Sequence, residues 1–224
     1  MQDLAHRLVE VNARIAEAVR RGGHGQAVRI VAVTKTHGPD AVEAIHACGI
    51  MDVGENRVQE ALDKQAVVQA PVRWHLIGHL QRNKVKALDH FVLLHALDSA
   101  RLADAVHEFG ARRGRPVEAL VQVNVVGETS KGGYALAELA REGERLMGLS
   151  GVRVVGVMTM APLEADEATL RRCFAGAREA RDVLRAAGHP ATELSMGMSG
   201  DFEMAVEEGA TMVRLGTVLF GERH

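Results

Sequence analysis

Val28-Arg29-Ile30-Val31-Ala32-Val33-Thr34-Lys35 is an apolar run that closes on a lysine and is followed at once by the loop signals Gly38-Pro39. It reads as a buried strand ending in a turn. A lysine at the C-terminal tip of a core strand stands where α/β proteins place their chemistry, and an amine facing a cleft there can form a Schiff base. The other reading of Lys35 is a rim lysine that snorkels to water.

Outward from this run, apolar stretches alternate with helical patterns. Strand-like runs fall at 28–35, 51–55, 72–77, 91–97, 118–125, 152–160, 193–198 and 212–220, and helix candidates at 39–48, 56–68, 82–89, 99–113, 135–147, 164–187 and 200–208. Eight β units, nearly all followed by a helix through short connections, predict an α/β fold, a single (β/α)8 TIM barrel over residues 1–224. Residues 1–21 carry Leu4, Leu8, Val11 and Ile15 at helical spacing among charges and predict an extra N-terminal docking helix rather than a signal peptide. A doubly wound open sheet would need a Gly-rich turn after the first strand, and Thr34-Lys35-Thr36-His37-Gly38 is not one.

Composition removes several classes. A net charge of -2 gives no electrostatic reason to expect nucleic acid, and no apolar run approaches membrane-spanning length. The two cysteines, Cys48 and Cys173, fall inside predicted helices, read as packing residues and point to the cytoplasm. His75 and His79 have the spacing of helix-face zinc ligands but fall on a strand and its following loop, so no metal site is expected.

A closed barrel puts its first and last strands about 4.8 Å apart, which sets Lys35 beside Met212-Val213-Arg214-Leu215-Gly216-Thr217. Met212, Arg214 and Gly216 share one face by the period-two rule, and one reading sends Arg214 inward. A buried guanidinium needs an acceptor, either a ligand or a carboxylate from another strand. Barrels often bind phosphate at the ends of strands 7 and 8. Here Met196-Gly197-Met198-Ser199-Gly200 offers Ser199 as an N-cap, and Gly216-Thr217 offers close backbone approach and a hydroxyl. A phosphate corner, an amine on strand 1 and an arginine between them describe a site sized for pyridoxal 5′-phosphate (PLP).

These segments also carry a family resemblance. Val31-Ala32-Val33-Thr34-Lys35, Gly54-Glu55-Asn56-Arg57-Val58-Gln59-Glu60, the stretch from Trp74-His75-Leu76-Ile77-Gly78-His79 to Lys84, and Leu194-Ser195-Met196-Gly197-Met198-Ser199 with Met212 to Thr217 together resemble the pyridoxal phosphate homeostasis proteins. Their fold is similar to the barrel domain of alanine racemase. The resemblance implies that Lys35 carries PLP as a Schiff base, that Arg214 faces the pyridine nitrogen, and that Ser199, Gly216 and Thr217 hold the phosphate. Thr36-His37-Gly38 departs from the family, which more often has Thr-Lys-Pro there.

An arginine at the ring nitrogen donates to an unprotonated pyridine, so the ring is a weak electron sink. Alanine racemase adds an opposing tyrosine from a second domain, whereas the single tyrosine here, Tyr134, is expected to pack near the loop after strand 5. Storage, delivery or control of PLP is therefore expected, with a low-activity racemase or lyase as the alternative and a cofactor-free Schiff-base aldolase as a further class. Asn56, at the rim, is expected to contact the cofactor or cap the helix that follows. His75 is expected to line the site. Lys131, in the Gly-rich loop after strand 5, is expected to serve cofactor exchange or to be a plain solvated lysine. Apo PLP enzymes are the expected partners, and the chain is expected to be a monomer.

Overall fold

In the computed structural model, which describes residues 2–127 and 132–221, the apolar runs become eight parallel strands that close on themselves. They are β1 (Arg29–Val33), β2 (Asp52–Glu55), β3 (Arg73–Leu76), β4 (Leu93–Leu97), β5 (Val117–Gln122), β6 (Val152–Met158), β7 (Glu193–Ser195) and β8 (Met212–Leu215). Closure sets Val31 opposite Arg214 and Ala32 opposite Leu215. Alternation along each strand then sorts the side chains. Val31, Leu93, Leu120, Met158 and Met212 fill the interior, while Ile30, Ala32, Val53, Leu76, Val213 and Leu215 pack outward against the helices.

The helices are α1 (Gln2–Gly22), α2 (Pro39–Ala47), α3 (Val58–Gln65), α4 (Ala100–Arg112), α5 (Leu139–Met147), α6 (Glu167–Ala186), α7 (Phe202–Glu207) and α8 (Thr217–Phe220). Two of their starts are fixed by side-chain caps: the Ser99 hydroxyl accepts from the Leu102 amide and the Asp166 carboxylate from that of Thr169. The extra N-terminal helix is present. α1 buries Leu8, Val11, Ile15 and Ala18, the larger of which contribute about 1.5–3 kcal/mol each on full burial. It is pinned by Arg14 to Glu203 at 2.7 Å and Arg21 to Glu207 at 2.6 Å, so it braces α7 beside the end of the barrel that carries β8.

Two expected elements differ. Residues 82–90 form a 3-10 helix rather than an α-helix. The expected strand 212–220 stops at Leu215, because Gly216 turns out of the extended line at φ −118° and ψ −84° and Thr217–Phe220 is helical. That break places two backbone amides at the barrel mouth. Cys48 and Cys173 form no disulfide, and Cys173 is wholly buried in α6, as its packing role requires. Among the described residues no helix is long and apolar enough to cross a membrane, and no group of three or more His, Cys, Asp or Glu could hold a metal ion.

Candidate functional site

Lys35 lies two residues past β1 at the C-terminal mouth, half-buried in the turn that leads to α2. Thr34 points outward and donates to Glu55 Oε1 at 2.6 Å, and Lys35 follows it as the first residue of the turn. Behind the turn, Lys64 Nζ donates to Glu55 Oε1 at 2.6 Å, to the Thr34 carbonyl at 2.8 Å and to Glu60 Oε1 at 3.0 Å. The same Glu60 oxygen accepts from the Thr36 amide at 2.6 Å. Thr36 needs that support, because its φ of 67° is left-handed and a β-branched residue there costs on the order of 1–3 kcal/mol. The residue after the lysine is thus held in a strained turn by a buried ionic cluster.

Arg214 does point into the barrel and is 5% exposed. Its guanidinium donates through Nη1 to Ser195 Oγ at 2.7 Å and through Nη2 to the Thr159 carbonyl at 2.9 Å. Both acceptors are neutral, and burial pushes the group down to about 10, partly offset by the charge of Asp201. It remains a cation at neutral pH with N–H groups left to donate.

Ser199 has a different local role from the one its sequence predicts. It is not a cap: Asp201 occupies the N-cap position of α7 and its carboxylate accepts from the Met198 amide at 2.6 Å. The Ser199 hydroxyl oxygen instead accepts from the amides of Gly216 at 3.3 Å and Val218 at 3.2 Å, which draws the loops after β7 and β8 together. Gly197 lets the loop after β7 pack directly on α7, since its φ is +92° and a Cβ would collide with Ala205 and Phe202. Thr217 stands exposed beside these amides. The His37 ring packs 4.8 Å from that of Phe220, so the lysine loop and α8 meet across the β1–β8 seam.

The other expected contacts divide. Asn56 is half-buried at the rim and does not cap α3, whose N-cap position is Arg57. Gly78 lies so close to it that a Cβ would strike the Asn56 backbone, which pins the ends of β2 and β3 together. His75 is corrected: it sits inside the barrel and lines a cavity of about 330 Å³ at the opposite, N-terminal mouth, with Arg29, Asp52, Arg73 and Glu118. It reaches Arg214 only through others. His75 Nδ1 lies 2.9 Å from His95 Nε2, and His95 Nδ1 lies 2.9 Å from Ser195 Oγ. Tyr134 is buried behind β5, where burial first and the Glu142 charge second push its phenol well above the usual range. Lys131 lies outside the described residues.

Ser195, His95, Asp52 and Lys64 are the residues that sequence reading missed. Ser195 and Arg214 each stand on the inward face of a strand by period two, a signal available in the sequence but without meaning until the strands are paired. The residues present fit PLP: a buried cation on β8, adjoining amides of Gly216 and Val218 gathered under one hydroxyl, and a half-buried lysine across the seam.

Comparison with known proteins agrees with the fold. Residues 8–224 match the alanine racemase N-terminal domain. The pyridoxal phosphate homeostasis protein of Aquifex aeolicus is 42% identical over 221 residues, covering 97% of both chains. That of Pseudomonas aeruginosa is 40% identical, covering 100% of this chain and 97% of its own. The solved structure of PipY from Synechococcus elongatus with PLP bound superposes with a TM-score of 0.85 at 36% identity, covering 97% of this chain and 100% of PipY. The chain belongs to the alanine racemase N-terminal domain family, among its pyridoxal phosphate homeostasis proteins.

Proposed function

We propose that this chain binds PLP at the C-terminal mouth of the barrel and acts in intracellular PLP homeostasis, by storage, delivery or control of the cofactor. Lys35 holds it as a Schiff base, Arg214 donates to the pyridine nitrogen, and Ser199, Gly216 and Thr217 hold the phosphate, with Asn56 at the rim. The observation that carries this reading is Arg214, a buried cation whose two bonds go to neutral acceptors and which lies directly across from β1. The PLP-bound PipY structure supports the same ligand. Bound PLP supplies a reactive aldehyde and an electron-accepting ring; an arginine at the nitrogen leaves that ring a weak sink.

The chain acts as one barrel domain over residues 1–224, as a cytoplasmic monomer whose partners are apo PLP enzymes. Lys131 takes part in exchange by accepting PLP from Lys35 and passing it outward. Purified protein loaded with PLP, as wild type and as Lys131→Ala, is mixed with an apo PLP enzyme and the regain of that enzyme's activity is followed. Transfer from wild type, slowed several-fold in the variant, is expected. Failure of wild type to take up PLP would sink the binding reading, and equal rates would remove Lys131 from it.

Amino-acid turnover is expected to be absent or very slow. The buried phenol of Tyr134 is held in its neutral form and is unsuited to proton transfer at neutral pH. Loaded protein incubated with L- and D-alanine in deuterated water gives the direct test, and rapid Cα deuteration with racemisation would make the protein an enzyme.

A further inference from the structure

Arg214 is the first member of a buried chain that crosses the barrel interior. Its Nη1 reaches Ser195 Oγ at 2.7 Å, Ser195 Oγ reaches His95 Nδ1 at 2.9 Å, His95 Nε2 reaches His75 Nδ1 at 2.9 Å, and His75 Nε2 reaches Asp52 Oδ1 at 2.8 Å. Ser195 and His95 are wholly buried, His75 is 2% exposed and Asp52 5%. Asp52 also accepts from Arg73, through Nε at 2.8 Å and Nη2 at 2.5 Å.

With His75 neutral, donor counting gives every bond one direction. Burial alone would raise Asp52, but the bonds from His75 and Arg73 outweigh it and bring the carboxyl down to about 2, so it is an anion that only accepts. His75 therefore carries its proton on Nε2. In a neutral His75 the Nδ1 atom accepts, which obliges His95 to donate from Nε2 and to accept at Nδ1. The partner at that Nδ1 is the Ser195 hydroxyl. Arg214 cannot accept, so it donates to the Ser195 oxygen, whose own proton is already committed to His95. The reverse order would need His75 to donate from both ring nitrogens, to Asp52 and to His95, and places the His95 proton on Nδ1 instead of Nε2.

We propose that Asp52, His75, His95 and Ser195 form a one-way hydrogen-bond relay of positioning residues, which holds Arg214 as a donor toward the ring nitrogen of bound PLP. The inference rests on the proposed function. Each link polarises the next in the same sense, so the Ser195 oxygen is a stronger acceptor than an isolated hydroxyl. With Ser195 on one side and the Thr159 carbonyl on the other, the guanidinium has a single orientation, and its remaining N–H groups are aimed rather than free to rotate. The relay gives a role to His75 and His95, two histidines in a barrel interior otherwise filled by Val31, Leu93, Leu120 and Met158.

Two readouts test it, one of which needs no cofactor. In protein labelled with 15N at histidine, long-range 15N–1H correlation near neutral pH is expected to show His75 and His95 both neutral and both protonated on Nε2, with or without PLP. In Ser195→Ala the PLP concentration for half-saturation is expected to rise about tenfold, the loss expected for one hydrogen bond to a charged group, and Ser195→Thr, which keeps the hydroxyl, to restore it to within about threefold. A wild type that takes up no PLP would overturn the proposed function and this role with it. Normal PLP uptake with either histidine protonated on Nδ1, or equal half-saturation in wild type and folded Ser195→Ala, would overturn the relay alone.

Discussion

Lys64→Met is expected to destabilise the protein by about 3–5 kcal/mol, the range for breaking a buried ion pair from one side. Lys64 is 5% exposed and Glu55 is wholly buried. Without the amine, Glu55 keeps only the Thr34 hydroxyl, and its Oε2 atom already has no partner among the described residues. Burial raises the Glu55 pKa, opposed by the bonds from Lys64 and Thr34. Removing Lys64 raises it further, so the orphaned carboxyl takes up a proton as pH falls and sheds its charge. The deficit is therefore greatest above the raised pKa and shrinks below it. Urea denaturation of wild type and variant at neutral and acidic pH measures both parts, and a deficit under about 1 kcal/mol at neutral pH would show that the cluster is not structural.

The same substitution reaches the site. Glu60 holds the Thr36 amide and is itself held by Lys64, so the variant loosens the left-handed residue that follows Lys35. A stability determinant and a positioning element share one amine.

The barrel was legible in the sequence because its evidence is repetitive: eight apolar runs with helices between them leave few topologies, and period two then groups Arg214 with Met212 and Gly216 on one face of β8, which the structure turns inward. Lys35 was legible because a strand tip is defined by the apolar run before it and the loop signal after it. Lys64 was not. In the pattern Glu60-Ala61-Leu62-Asp63-Lys64 it looks like an ordinary solvated helix residue, and its partner Glu55 belongs to the preceding strand and reads as part of the rim. The 218–220 stretch misread as strand is Val218-Leu219-Phe220, three apolar residues after an apolar strand, where periodicity cannot separate helix from strand over so short a length. The relay escaped for a different reason. His75, His95 and Ser195 lie on three strands up to 120 positions apart in the chain, and only the closure of the barrel turns three isolated polar residues in apolar runs into neighbours.

Borohydride reduction of the PLP-loaded protein is expected to leave the phosphopyridoxyl group on the peptide that contains Lys35, and Lys35→Ala to lower PLP retention by at least about a hundredfold. The magnitude follows from connectivity: once the ring is tethered, the contacts to its nitrogen and phosphate become intramolecular, and cutting the tether returns them to separate encounters. Position supports the assignment. Lys35 lies two residues past β1, β1 pairs with β8 at Val31 and Arg214, and Gly216 approaches Val33 closely enough that a Cβ would lie 3.6 Å from it. Lys64, the other lysine near this turn, is committed to Glu55, Glu60 and the Thr34 carbonyl and faces the helix layer. It cannot serve as a substitute without breaking the cluster. A half-buried residue in a rim turn is not a packing element, so Lys35→Ala should fold with stability within about 0.5 kcal/mol of wild type, which separates loss of attachment from loss of structure. A phosphopyridoxyl group found on another lysine alone, or undiminished retention in a folded Lys35→Ala protein, would remove Lys35 from the site and leave Arg214 without its counterpart across the seam.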